Sequence, residues 1–98
     1  MSSSAIDIHE ARAQAIALTD DALTVDLADG RTISVPLAWY PRLLHAKTAE
    51  LENWRFTGDR EAIHWPDLDE DISVESLLAG KRSGESQASL KKWLAARS

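Results

Sequence analysis

No cysteine occurs anywhere in the 98 residues. That removes disulfides, thiolate metal sites and cysteine nucleophiles together. It also fits a reducing compartment, so the expected location is the cytoplasm. Glycine is scarce, with four residues, and neither G-x-G-x-x-G nor G-x-x-x-x-G-K-[ST] is present. Nothing therefore marks a loop that cradles nucleotide phosphates, and no cofactor is implied. No apolar run approaches the roughly 18 residues needed to span a bilayer, so no membrane partner is expected. The opening Met1-Ser2-Ser3-Ser4 has neither a basic n-region nor an apolar h-region, and no secretory leader is expected. No G-x-S-x-G elbow selects one serine among many, so no catalytic residue is assigned and the chain does not read as an enzyme.

What is present is ordinary globular material: 44% hydrophobic and 28% charged residues in a length that suits one domain. The net charge of −5 is spread unevenly: −2 over residues 1–49, −7 over 50–80 and +4 over 81–98. An acidic body repels phosphate backbones, which disfavours nucleic acid as a partner of the folded part.

Residues 12–35 alternate with period two, which predicts a three-stranded antiparallel meander. Gln14, Ile16 and Leu18 share one face, with Ala13, Ala15 and Ala17 opposite. Leu23, Val25 and Leu27, then Ile33 and Val35, continue the apolar face. Asp29-Gly30 suits a two-residue type I′ hairpin, while Asp20-Asp21 is a weaker turn signal. Pro36 ends the third strand. Pro41 fits the first turn of a helix and Thr48 fits an N-cap, so residues 37–53 predict two short helices or one kinked helix. Gly58-Asp59 marks a turn, and Ala62 to Trp65 reads as a strand returning to the sheet. Ser73 caps a short helix carrying Val74, Leu77 and Leu78, which Gly80 stops. Residues 81–87 read as a linker. Ser89 is the expected cap of a last helix with Leu90, Trp93 and Leu94 on one side. A helix that short is marginal in water by itself and must dock somewhere.

The predicted class is thus α+β: the meander, a helical segment, a returning strand, a short helix and a C-terminal tail helix. Residues 1–80 form the compact domain, and residues 81–98 form a basic linker with a short amphipathic helix, semi-detached from it.

Two stretches resemble a small bacterial family, number 2442 among the domains of unknown function. They are Val35-Pro36-Leu37-Ala38-Trp39-Tyr40-Pro41-Arg42-Leu43 and Ile63-His64-Trp65-Pro66-Asp67-Leu68-Asp69-Glu70-Asp71-Ile72-Ser73-Val74, the latter followed by Leu77-Leu78-Ala79-Gly80. The resemblance covers roughly residues 10–80. It implies a compact α+β fold and no established enzyme activity, and transfers no catalytic residue. It also implies genes set beside another small family in the manner of toxin–antitoxin pairs. Some relatives add a helix-turn-helix domain, but the residues after Gly80 are too few for one.

Asp67, Asp69 and Asp71 are spaced like the start of an EF-hand, but Ile72 and Leu78 stand where that loop needs glycine and glutamate, so no metal is assigned. The same acids suit an acidic docking patch for a basic partner, or simply a solvated segment beside a helix start. His9, His45 and His64 show no zinc spacing. Trp39, Trp54 and Trp65 suit core packing, with the alternative that one anchors a partner. Trp93 either folds back onto the acidic 50–80 region or docks in trans with Leu90 and Leu94. The expected function is a protein-binding module, antitoxin-like, whose partner is the adjacent gene product. Its candidate contacts are Trp65, Asp67, Asp69, Asp71, Leu90, Trp93 and Leu94; homo-oligomerisation stays open. The alternative is a transcriptional regulator touching DNA through Lys81, Arg82, Lys91, Lys92 and Arg97.

Overall fold

The fold is that of a computed structural model, which describes residues 11–97. It is α+β, as the periodicity implies. The strands β1 (Ala13–Leu18), β2 (Ala22–Leu27) and β3 (Thr32–Pro36) form an antiparallel sheet in that order. Leu23, Val25 and Leu27 of the central strand are buried, with Leu18 opposite Leu23 and Ile16 opposite Val25. The alternation fails at one residue. A bulge between Ala13 and Ala15 lets Ala13, opposite Leu27, join Ile16 and Leu18 on the inner face, while Gln14 is exposed. A bulge inserts one residue, and strict period two cannot register it.

Both hairpins are built from local bonds. The Thr19 N–H donates to the Ala22 carbonyl at 2.9 Å, and its hydroxyl accepts from the Ala22 N–H at 3.0 Å. The second turn is not the expected type I′. The Gly30 N–H donates to the Leu27 carbonyl at 3.0 Å, the Leu27 N–H donates to Arg31 at 2.7 Å, and only Gly30 has positive φ, at +98°. This is a three-residue loop closed by a glycine bulge, so Asp29 never needs the left-handed region. Its carboxylate accepts instead from the Arg31 N–H at 3.1 Å.

After β3 come one 3₁₀ turn (Leu37–Trp39) and the short helices α1 (Pro41–Leu44) and α2 (Thr48–Glu52). Pro41 takes the first helical position, where its missing N–H is harmless. Thr48 is the first residue of α2 rather than its cap; Lys47 stands at the cap, and its N–H donates to the Glu50 carboxylate at 2.8 Å. The acceptor is supplied from inside the helix.

Ala62–Trp65 is a strand, but it does not rejoin the meander. As β5 it is the middle of a second antiparallel sheet, between β4 (Arg55–Thr57) and β6 (Glu70–Ser73). The turn between β4 and β5 touches the meander, where the Ala13 N–H donates to the Arg60 carbonyl at 2.9 Å and Arg12 pairs with Asp59. Helix α3 (Val74–Leu78) follows β6 directly, its Ser76 N–H donating to the Ser73 hydroxyl at 3.0 Å. It ends in a Schellman arrangement: Gly80 (φ +73°) donates to Leu77 and Lys81 donates to Ser76.

The inner faces of both sheets and one side of α1 and α3 enclose the core: Leu23, Val25, Leu27, Val35, Leu43, Ile63, Trp65, Leu68, Ile72, Val74 and Leu77. Trp65 is its largest fully buried side chain. Its indole N–H donates to the Leu51 carbonyl at 3.1 Å, which satisfies the one polar atom carried inside.

The tail helix α4 (Gln87–Arg97) begins two residues before the expected cap. Ser86, not Ser89, caps it, accepting from the Ser89 N–H at 3.0 Å. Among the described residues no helix is long and apolar enough to cross a membrane.

Candidate functional site

The tail is not semi-detached. One stripe of α4 holds it to the body. Arg97 pairs twice with Glu50 of α2, at 2.6 and 2.9 Å. At the other end Arg42 of α1 grips Glu85 with both Nε and Nη2, the shortest contact being 2.7 Å, while its Nη1 donates to the Leu68 carbonyl. Ser89 adds a bond to Glu85 at 2.8 Å. Trp93 packs against the core with two guanidinium groups over its ring, Arg97 at 4.3 Å and Arg42 at 5.2 Å from its centroid. Planar guanidinium suits both jobs at once, since its edge bonds a carboxylate while its face stacks on a ring. The linker is tied as well: the Tyr40 hydroxyl donates to the Lys81 carbonyl at 2.9 Å, and Arg82 lies 4.8 Å over Trp39.

The charge split hinted at this docking but mistook its pairs. A basic tail on an acidic body suggests bases of the tail meeting acids of the body. One bridge runs that way, Arg97 to Glu50; the other is reversed, Glu85 of the tail meeting Arg42 of the body. Both pairs are mostly withdrawn from solvent, and both shift their carboxyls down. The hydrogen bonds from Arg97, and then from the Lys47 backbone, lower Glu50 to about 2. The Arg42 bonds lower Glu85 in the same direction.

A neighbouring stripe of the same helix does not face the core. Gln87, Ala88, Leu90, Lys91 and Leu94 line a shallow groove of about 380 Å³. Leu90 and Leu94 are each half-buried. Arg42 joins the start of α4 to the acidic loop, where Asp67 and Asp69 are exposed. Leu44 of α1, 45% exposed, is the one large apolar side chain that stands open among the described residues.

The expected contact residues thus separate. Trp65 is withdrawn: fully buried and bonded to Leu51, it is core and cannot anchor a partner. Trp93 packs on its own domain, against the core and beside Arg42 and Arg97. Leu90 and Leu94 stay on the accessible flank. Asp67 accepts from Asn53 at 3.0 Å, and Asp69 sits in the left-handed region at φ +51° within the turn before β6. Asp71 lies on β6 opposite His64, whose Nδ1 it meets at 2.8 Å.

That last pair belongs to a second, different surface. Arg55, His64 and Asp71 form a row across β4, β5 and β6, and with Thr57, Ala62, Ser73 and Ser76 they line an open hollow of about 600 Å³. His9 lies outside the described residues. Among those described, no three His, Asp or Glu side chains gather as a metal-binding group.

Comparison with known proteins follows the fold. A family model described as "Protein of unknown function (DUF2442)" matches residues 13–83. A crystal structure of a protein of unknown function from Rhodospirillum rubrum is similar, with 28% identity, a TM-score of 0.65, and coverage of 83% of this chain and 98% of that one. The solution structure of an uncharacterized protein from Chromobacterium violaceum shares the fold, with 19% identity, a TM-score of 0.64, and coverage of 91% and 78%. No curated protein matches the chain.

Proposed function

The chain belongs to the DUF2442 family of proteins of unknown function, and from that premise we propose that it is a non-catalytic protein-binding module. It receives a segment of its partner along the open flank of α4. The observation that carries this reading is the division of α4 into two stripes. Ser89, Trp93 and Arg97 hold the helix to its own domain, while Leu90, Leu94 and Ala88 line a groove beside them. An apolar groove on a helix already ordered is suited to an amphipathic helix laid alongside it. Ordering is paid before the partner arrives, so less affinity is lost to entropy.

The acids extend the reading. Asp67 and Asp69 stand across Arg42 from the start of α4, so a basic partner is steered toward that end of the groove. The finer proposal is an antitoxin-like role in a two-gene pair, the partner being the neighbouring gene product. The DNA reading gains no observation of its own. Of its five bases, Arg97 is committed to Glu50 and Arg82 stacks on Trp39.

Co-expression with the neighbouring gene product, followed by co-purification, tests the proposal. The wild-type chain is expected to retain its partner, and the double substitution Leu90→Asp with Leu94→Asp to lose it. Retention by the double variant would remove the groove from the account.

A further inference from the structure

β1 is one edge of the meander, as β3 is the other. On one side of β1 lies β2. On the other, among the described residues, only the Ala13 N–H is engaged, by the Arg60 carbonyl. The phase of the ladder follows from Thr19, which donates to Ala22 and therefore faces β2. Main-chain groups alternate along an antiparallel strand. Ala17 and Ala15 thus face β2, while Leu18 and Ile16 direct N–H and C=O outward, where no described backbone group meets them.

Natural sheets protect such edges with lysine, proline or inward-pointing charge. The sequence Ala-Gln-Ala-Ile-Ala-Leu has none of these. Its bulge lies at Ala13 and Ala15, beside the turn that already covers that end. A second observation falls at the same place. Leu23 and Val25 are fully buried, yet Leu18 and Ile16 directly opposite them are only half-buried. The apolar face stops one strand short of cover.

We propose that β1 pairs antiparallel with β1 of a second copy of this chain, about a two-fold axis through Ala17, giving a continuous six-stranded sheet. Three features fit this occupant. In that register Ile16 of one copy exchanges hydrogen bonds with Leu18 of the other, so all four outward-facing residues are satisfied. Ala17 then faces itself at the closer spacing of a non-hydrogen-bonded pair, about 4.5 Å between Cα atoms, where the smallest L side chain is best placed. Finally, charge permits it. Self-pairing sets each side chain near its own kind, and β1 is uncharged in a chain of net charge −5. At the ends, with the bulge counted, the acidic Asp20-Asp21 tip of one copy comes alongside Arg12 of the other.

Analytical ultracentrifugation and a cysteine substitution test this. The chain has no cysteine, so Ala17→Cys introduces a single thiol. Two such residues on the axis lie within the Cα range a disulfide accepts, about 4.4–6.8 Å. The wild type is expected to reach twice the 10.8 kDa of one chain as concentration rises. Ala17→Cys is expected to form linked dimers under mild oxidation, while Ser34→Cys, exposed on β3, stays largely unlinked. Ala17→Lys, which sets like charges across the axis and keeps the bonds to β2, is expected to raise the dimer dissociation constant at least about tenfold. A 10.8 kDa species at every concentration, or equal linking by the two cysteine variants, would overturn the proposal. No residue of α4 takes part, so the outcome is independent of the groove.

Discussion

Trp65 shows what one residue decides. Its place between Ile63 and Leu68 in the core is compatible with the sequence, but so was an exposed aromatic beside acids. The difference is the Leu51 carbonyl, fourteen residues away, which accepts its N–H and allows complete burial. Trp65→Ala is expected to cost about 3–5 kcal/mol in urea unfolding, the range for truncating a buried aromatic. A loss below 1 kcal/mol would return Trp65 to the surface. Glu70 makes a subtler case. Burial, its largest influence, raises its carboxyl, and Arg42 only partly offsets this. The folded chain therefore holds this proton more tightly than the unfolded one. The associated stability is complete below the ordinary glutamate range and is lost as pH rises through the raised value. Glu70→Gln is expected to raise the thermal midpoint at neutral pH, with the gain vanishing near pH 4. A lower midpoint at neutral pH would show that the carboxylate is net stabilising where it sits.

Elements differ in how far the sequence disclosed them. The meander and α3 depend on near neighbours: period two, a turn at Gly30, a cap at Ser73, a stop at Gly80. These were legible. The second sheet was not, because β4 and β6 are three and four residues long and hold one central apolar residue each, Phe56 and Ile72. Their pairing with β5 is what makes them strands. The docking of α4 was hidden for a related reason. Its anchors lie 43 and 47 residues apart in sequence, and no local pattern couples Arg42 to Glu85 or Arg97 to Glu50. Two predictions belong to this scale. Gly80 has φ +73° and open space where a Cβ would point, so Gly80→Ala is expected to cost about 1 kcal/mol through backbone strain alone. Gly84→Ala, with no positive φ, is expected to cost little; equal losses would argue against the Schellman end of α3. The docking of α4 is expected to depend on pH. Glu50 is lowered from 4.5 to about 2, and Glu85 moves the same way. Lowered carboxyls stabilise fully above their ordinary value and release that stability as pH falls through the folded one. The Trp93 indole resonance is therefore expected to move toward a solvent-exposed position between about pH 4.5 and 2, and an unchanged resonance would show that neither bridge holds the helix.

For the whole molecule, the charge map proved a partial guide. It led to the tail and to the acidic loop, and these do meet at Arg42. It did not disclose that the tail helix spends Trp93 and Arg97 on its own domain and leaves Leu90 and Leu94 at the surface. On the proposed reading, that division makes α4 a preformed receptor, where the sequence left open whether the tail folds back or docks in trans. It also narrows the candidate set: Trp65 drops out, Trp93 becomes the support of the groove, and the leucines become its floor. The uncharged β1 edge is a separate surface, so the proposed self-pairing would leave α4 open to a different protein.

The most direct measurement is a calorimetric titration of the neighbouring gene product into the intact chain and into the Leu90→Asp, Leu94→Asp variant. Saturable binding to the first, and at least about tenfold weaker binding to the second with the Trp93 resonance in place, is the expected result. Absence of binding to the native chain, or equal affinity for both, would contradict the role assigned to α4.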